Sequence, residues 1–177
     1  MIGQTQIRRF IAVLSLFIPG LLHAQNIPER MYADLSWRFA GPYRAGWSTM
    51  AEGIPDEPNT FFFGAVGGGV WKTTDAGWTW EGLMQHEASS SIGAFAISPS
   101  NSQIIYVGTG QVSYRYDILS VDGVYRSDDG GKTWKNVGLS GTNHIGRIMI
   151  HPEKSQRVLV AALGHLFGLN SELGLFL

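Results

Sequence analysis

The sequence predicts an all-β protein, a β-propeller built from four-stranded sheets, or blades, of one repeated type. Three observations predict it: a unit that occurs more than once, short apolar runs bounded by turn residues, and a composition rich in glycine and aromatic residues. The 177 residues include 23 glycines, 9 phenylalanines and 6 tryptophans. Because a period of about fifty residues is typical of propellers and other long-repeat arrays, the repeat is the observation on which the fold class depends.

The repeated unit is visible when two segments are aligned. The segment GGGVWKTTDAGWTWEGL, which begins at Gly67, aligns with VDGVYRSDDGGKTWKNV, which begins at Val121. The flanks align as well: IGAFAISPSNSQIIYVGTG from Ile92 resembles IGRIMIHPEKSQRVLVAALG from Ile145. We interpret the pattern as one structural unit that has been copied along the chain.

Each unit is predicted to hold four short strands, which is the number in one propeller blade. The apolar runs alternate or are continuously apolar, and the first strand of two units ends where a proline cannot continue a ladder. The predicted strands are 92–97 and 145–150 (first), 61–66, 104–108 and 158–162 (second), 69–72 and 123–126 (third), and 80–83 and 134–137 (fourth).

The N-terminus has the features of a secretory signal. Arg8 and Arg9 precede an apolar run from Phe10 to Leu22, and Ala24 is a small residue suited to cleavage before Gln25. We therefore expect a signal peptide at 1–24, a lead-in at 25–36 and an incomplete propeller at 37–177. Its blades are expected at about 37–85, 86–139 and 140–177, the last one truncated, which makes about two and two-thirds blades.

The turn between the third and fourth strands has the same polar residues in both copies. Asp75 is placed to accept hydrogen bonds from backbone amides within the turn, and Gly77 supplies a positive φ without steric cost. Trp80 is expected to bury a large apolar surface beneath the hairpin. The structural positions of this turn are Thr73, Asp75, Gly77, Thr79 and Trp80, and in the copy Ser127, Asp129, Gly131, Thr133 and Trp134.

These two turns match the Ser/Thr-x-Asp-x-Gly-x-Thr-Trp pattern of the Asp-box, and the chain resembles secreted bacterial proteins with BNR or sortilin-type propeller repeats, often called glycosyl-hydrolase-like. The segments WRFAGPYRAGW from Trp37 and FFFGAVGGGVWKTTDAGWTW from Phe61 carry the resemblance, which extends from Trp37 to the end. Sialidases, xyloglucanases and sortilin-type receptors share the Asp-box on propellers, so the resemblance implies an architecture more than any one reaction.

The sequence departs from that family at two places. Gln111 stands where members of the family commonly carry an acid, and the sequence stops at Leu177 within a predicted strand. We expect the chain to be an N-terminal fragment of a longer, secreted or periplasmic propeller protein.

Composition argues against several partners and cofactors. Thirteen basic and fourteen acidic residues give a formal charge of −1 and are scattered singly, so nucleic acid is not expected as a ligand. There is no cysteine, which removes disulfides, thiolate metal sites and cysteine nucleophiles. We predict no metal and no cofactor, and no membrane span after removal of the signal peptide.

Ligands of propellers are usually bound by loops above the central channel. The long loop from Gly108 to Asp122 combines aromatic, basic and acidic side chains, which suits a sugar ring stacked on an aromatic face. An ordinary solvated loop, with its tyrosines packed on a neighbouring blade, is the structural alternative. The candidate ligand-binding residues are Arg44 in the opening motif and, in the loop, Gln111, Tyr114, Arg115, Asp117 and Asp122.

Two functions remain open from the sequence. In the first, the parent protein binds or cleaves carbohydrate through two carboxylates and the fragment itself is inactive. In the second, the propeller is a non-catalytic scaffold that binds a protein or a peptide, as sortilin-like receptors do. No catalytic residue can be assigned from these residues, and enzymatic activity would be that of a glycoside hydrolase in the full-length parent.

Overall fold

A computed structural model describes residues 28–35, 47–87, 89–112, 122–165 and 170–177. The chain divides into two compact units, Met1–Gly41 and Pro42–Leu177. In the first unit the described residues form a 3-10 helical turn at Glu29–Met31, closed by a hydrogen bond from the backbone N–H of Met31 to the carbonyl of Pro28 (2.9 Å). The predicted signal peptide lies outside the described residues.

The described residues of the second unit form eleven strands in three antiparallel sheets, which confirms the all-β prediction. The first sheet is ordered β1-β2-β3-β4 and the second β5-β6-β7-β8, while the third is ordered β9-β10-β11. The strands are β1 (Trp47–Ile54), β2 (Glu57–Val66), β3 (Gly69–Thr73), β4 (Glu81–Gly82), β5 (Ile92–Ser98), β6 (Asn101–Thr109), β7 (Val124–Ser127), β8 (Lys135–Gly138), β9 (Ile145–Ile150), β10 (Val158–Ala162) and β11 (Gly174–Phe176).

The first strand of each sheet lies at an edge, and β5 packs beside both β1 and β9. We call β1, β5 and β9 the inner strands. Each inner strand is interrupted at the same position by one extra residue, a β-bulge: Thr49 in β1, Gly93 in β5 and Gly146 in β9. A bulge bends its strand and changes the direction of nearby side chains, and bulges are frequent at rims and beside binding sites.

Two apolar clusters hold the sheets against each other. Phe62 and Val70 of the first sheet pack with Phe95 and Ile105 of the second, and the rings of Phe62 and Phe95 are 5.7 Å apart. The second cluster joins the second and third sheets and includes Ala94, Ala96, Tyr106, Val124, Ile145, Ile148, Val160 and Ala162. Burial of these faces is the main stabilising contribution, because a sheet that is apolar on one face must cover it.

A glycine in the second strand of a sheet makes room for the first isoleucine of the next sheet. A Cβ at Gly64 would lie 2.7 Å from Cγ2 of Ile92. Gly108 and Ile145 repeat this arrangement, since a Cβ at Gly108 would collide with Cγ2 and Cβ of Ile145. Both isoleucines are fully buried, so the glycines allow the sheets to approach closely.

Two expectations about the turn region are corrected by the structure. Strand β4 has only the two residues Glu81–Gly82, shorter than the predicted 80–83. Trp80 is 40% exposed rather than buried beneath the hairpin: its ring meets Phe63 edge-on at 4.8 Å, and its indole N–H donates to the carbonyl of Gly77. Trp134 is half-buried and donates to the carbonyl of Leu83, the residue that follows β4 of the first sheet (3.1 Å). Only the second of the two tryptophans therefore ties neighbouring sheets together.

Candidate functional site

A cleft of about 470 Å³ lies where the three inner strands bulge. All three bulge residues line it, together with the start of β1, Val112 at the start of the long loop, and one residue of β9. We call it the inner-strand cleft. Its described lining residues are Trp47, Ser48, Thr49, Met50, Gly93, Val112, Gly146 and Arg147.

The bulges explain why a cleft forms at this place. Thr49 turns its hydroxyl inward, where it is within hydrogen-bonding distance of the carbonyl oxygens of Gly64 (3.1 Å) and Ile92 (3.0 Å). Gly93 cannot carry a side chain without a collision, because its Cβ would meet the carbonyl oxygens of Gly110 and Ile145. The close approach of these backbones therefore requires glycine at position 93.

Two large side chains give the cleft its chemical character. Trp47 is 53% exposed at the start of β1, and Arg147 is exposed on β9. An exposed indole offers an apolar face for stacking, while a guanidinium offers several hydrogen-bond donors in one plane. The cleft thus combines a stacking surface with polar groups that can bind hydroxyl or carboxylate oxygens.

A carboxylate bridges two inner strands farther along β1. Glu52 accepts a hydrogen bond from the backbone N–H of Ile97 on the edge of β5 (3.1 Å). Partial burial raises the pKa of Glu52, and this effect is opposed by the Ile97 hydrogen bond and by the positive charge of Arg147. The backbone N–H of Ile97 lies on the open edge of β5, and Glu52 accepts its hydrogen bond. Glu52 therefore links β1 to β5.

The Asp75 turn is closed by hydrogen bonds among residues that are at most four positions apart. Oδ1 of Asp75 accepts from the backbone N–H of Thr79 (2.9 Å), and Oδ2 accepts from the Thr79 hydroxyl (2.6 Å). The hydroxyl of Thr73 donates to Asp75 (2.7 Å) and accepts from the N–H of Gly77 (2.9 Å). Gly77 has a φ of 96°, a left-handed conformation that favours glycine.

The second turn has the same contacts at nearly the same distances. Asp129 accepts from the N–H of Thr133 (2.9 Å) and from its hydroxyl (2.6 Å), and Ser127 takes the place of the threonine (2.8 Å). Hydrogen bonds from the Thr79 and Thr133 hydroxyls lower the pKa of Asp75 and Asp129 to about 2, with help from the backbone amides. Both carboxylates are engaged within their own turns, and neither turn lines the inner-strand cleft.

The predicted ligand-binding residues have different outcomes. Arg44, Tyr114, Arg115 and Asp117 lie outside the described residues, and their role stays a prediction. Gln111 is 4% exposed, so its side chain is buried rather than presented at the surface.

Gln111 and Asp122 flank the part of the loop that is not described, and each has contacts that support the sheet. Burial lowers the pKa of His144, and a hydrogen bond with the backbone of Gln111 opposes this effect. Asp122 is exposed. Its carboxylate accepts from the hydroxyl of Tyr125 (3.2 Å), and its carbonyl accepts from the side-chain amide of Asn136 (2.6 Å).

Sequence reasoning missed the residues that line the cleft. Trp47 ends the opening segment WRFAGPYRAGW, in which only Arg44 was considered as a ligand-binding residue, and Thr49 and Arg147 belong to neither turn motif. One feature of the sequence could have indicated the bulges. Thr49, Gly93 and Gly146 stand near the start of equivalent strands, and two of the three are glycines. Among the described residues no group of three or more histidine or acidic side chains could hold a metal ion. In the same residues no helix is long and apolar enough to cross a membrane.

Comparison with solved structures places the fold among β-propellers. The chain is similar to an ancestral GH74 enzyme (16% identity, TM-score 0.51, 64% of this chain and 16% of that one). It is also similar to the GH74 enzyme of Niastella koreensis (21% identity, TM-score 0.50, 63% of this chain and 16% of that one). A further similar structure is the GH74 xyloglucanase of Xanthomonas campestris (22% identity, TM-score 0.48, 71% of this chain and 20% of that one).

At these identities the likeness shows the fold alone. The chain spans about a sixth of the length of the first two enzymes. No protein-family model matches the sequence. No curated protein matches it either.

Proposed function

We propose that the chain forms part of a secreted, glycosyl-hydrolase-like β-propeller and that its inner-strand cleft binds carbohydrate. The likeness to two GH74 enzymes supports the propeller fold, and the case for a sugar site rests on the cleft itself. The two hydrogen-bonded turns, with their Asp, Gly and Thr residues in matching places, support their assignment as Asp-boxes. The basic and apolar N-terminal segment supports export through a signal peptide at 1–24.

The observation that carries the proposal is that the cleft is lined by both an exposed tryptophan, Trp47, and an exposed arginine, Arg147. A pyranose ring has an apolar face that stacks on an indole and a rim of hydroxyls that bond polar groups. Ser48 also lines the cleft, and its hydroxyl is a further group able to form a hydrogen bond.

Binding, rather than cleavage, is the activity proposed for this chain. Glycoside hydrolysis uses two carboxyl groups separated by about 5–9.5 Å. The described lining of the cleft supplies a ring, a guanidinium and hydroxyls, and any catalytic pair would have to come from other residues of the complete propeller. We therefore expect no glycosidase activity from the chain alone, and we expect the complete protein to bind or cleave carbohydrate.

Isothermal titration of the chain with xyloglucan oligosaccharides and with unbranched cello-oligosaccharides tests the proposal. Trp47→Ala should weaken binding about fivefold or more, since loss of one stacked ring is worth about 1 kcal/mol or more. Trp78→Ala is the matched control, because Trp78 is 89% exposed and does not line the cleft. Equal weakening by both substitutions, or no binding of any oligosaccharide, would contradict the proposal.

A further inference from the structure

The charged side chains near the inner strands are separated by sign along β1. Glu52 and Asp56, at and just beyond the end of this strand, line a separate cavity of about 520 Å³ together with Glu57 at the start of β2. The inner-strand cleft lies at the start of β1, and Arg147 is the one charged side chain among its described lining residues. The cleft is therefore electropositive, whereas the cavity at the other end of β1 is acidic.

The charge of Arg147 is not neutralised by a neighbouring side chain. Within the described ranges, Arg126 pairs with Asp128 and His165 contacts Glu172, and no carboxylate lies within ion-pair distance of Arg147. Arg147 is exposed, so its guanidinium is solvated. An anionic group that enters the cleft would not have to displace an acidic side chain from this guanidinium.

Glu52 feels the charge of Arg147 but is bonded elsewhere. Burial raises the pKa of Glu52, and the Ile97 hydrogen bond and the positive charge of Arg147 oppose this effect. Oε2 of Glu52 accepts from the backbone N–H of Ile97 on β5 (3.1 Å), and Glu52 forms no ion pair with Arg147. The charge of Arg147 thus acts across β5 on a residue of β1 and remains available to a ligand in the cleft between these strands.

An arginine side chain distinguishes a carboxylate from a hydroxyl. Its planar guanidinium can donate two parallel hydrogen bonds to the two oxygens of one carboxylate. Hydrogen bonds between charged groups are about twice as strong as those between neutral groups. A carboxylate on a sugar is ionised at neutral pH, as other unperturbed carboxyl groups are. Of two sugars that stack equally well, the one with a carboxylate should therefore bind more tightly beside a free guanidinium.

We propose that the inner-strand cleft prefers acidic sugars, and that Arg147 binds the carboxylate of a uronic acid whose ring stacks on Trp47. The inference rests on the proposed binding of carbohydrate and narrows it to one class of sugar. The whole chain has a formal charge of −1, so a general attraction of anions by the protein would not produce this preference. The preference would come from the cleft.

Isothermal titration of the full chain with two matched tetrasaccharides tests the inference. One is cellotetraose, and the other is the same tetrasaccharide with its C6 hydroxyls oxidised to carboxylates. We expect the oxidised form to bind about fivefold or more tightly, because a charge-assisted hydrogen bond replaces a neutral one. The quantity compared between variants is the ratio of the two affinities, which cancels effects that are common to both sugars.

Three substitutions assign the preference to its residues. Arg147→Gln should lower the ratio to about one, because the amide can still form hydrogen bonds but carries no charge. Arg157→Gln is the matched control, since Arg157 is also exposed but does not line the cleft, and it should leave the ratio unchanged. Glu52→Gln should raise the ratio, because it removes a negative charge that repels the ligand and keeps an acceptor for the Ile97 N–H.

The possible results separate this inference from carbohydrate binding itself. Cellotetraose that binds as tightly as the oxidised form, or a preference that survives Arg147→Gln, would overturn the inference and leave sugar binding in place. A preference that Arg157→Gln abolishes as fully as Arg147→Gln would overturn it too. If neither tetrasaccharide binds, both the sugar site and its preference for acidic sugars are refuted.

Discussion

The close approach of neighbouring sheets depends on a glycine that faces an isoleucine, and this pair allows a quantitative test. Ile92 is fully buried, and a Cβ at Gly64 would lie 2.7 Å from its Cγ2 and 3.2 Å from its Cβ. Gly64→Ala should therefore force the first two sheets apart, whereas Ile92→Ala should leave a cavity between them.

The expected sizes of the two effects follow from the structure. Overpacking at Gly64 should cost about 1–3 kcal/mol, and truncation of a fully buried Ile92 should cost about 2–5 kcal/mol. Ile92→Ala removes the Cγ2 that lies nearest to a new methyl at position 64. The distance that remains, 3.2 Å between this methyl and the Cβ of residue 92, is tight but tolerable. In the double variant the alanine at position 64 should then cost little, which gives a favourable coupling of about 1–3 kcal/mol.

Urea unfolding followed by tryptophan fluorescence measures these free energies for the wild type, both single variants and the double variant. Gly141→Ala is the matched control, because nothing lies within 4 Å of a Cβ at Gly141. Its effect should be within about 0.5 kcal/mol of zero. If the effects of Gly64→Ala and Ile92→Ala add within about 0.5 kcal/mol, the two residues do not pack against each other and the account of the sheet contact is refuted.

Three further predictions follow from the turns, the buried histidine and the tryptophan between sheets. The pKa values of Asp75 and Asp129 are lowered from 3.8 to about 2, so the stability they contribute is present above pH 4 and is lost as the pH falls toward 2. The Tm of the wild type should thus fall more steeply over that range than the Tm of the Asp75→Asn/Asp129→Asn variant. A nuclear magnetic resonance titration of His144 should give a pKa below 6.5, because burial disfavours its charged form; a value at or above 6.5 would contradict that burial. Trp134→Phe should lower the free energy of unfolding in urea by about 1 kcal/mol, since it leaves the partly buried carbonyl of Leu83 without its indole donor. An unchanged midpoint would show that this hydrogen bond contributes nothing.

Apart from β1 (Trp47–Ile54), which no predicted strand covers, the sequence predicted the strands and the hydrogen-bonded turns best, for physical reasons that are local. All partners of Asp129 in its turn lie within four residues, so their spacing is written in the sequence. The strands are bounded by prolines and glycines, and their apolar faces alternate. The length of β4 and the exposure of Trp80 were predicted wrongly because both depend on what packs against the outermost strand.

The inner-strand cleft could not be predicted in the same way. It depends on bulges at equivalent places in three strands, and a bulge is a property of strand pairing rather than of one segment. Trp47 and Arg147 are a hundred residues apart and line the same cleft only because their strands both flank β5. The long loop favoured by the sequence contributes Val112 to the cleft, and Gln111 beside it is buried.

The measurement that tests the central claim most directly is a titration of the ¹⁵N-labelled chain with xyloglucan oligosaccharide, followed through the indole N–H signals of its tryptophans. If the inner-strand cleft binds the sugar, the indole signal of Trp47 will shift with saturation, and the signals of Trp78 and Trp80 will stay in place. Shifts confined to Trp78 or Trp80, or binding without any change at Trp47, would contradict the account.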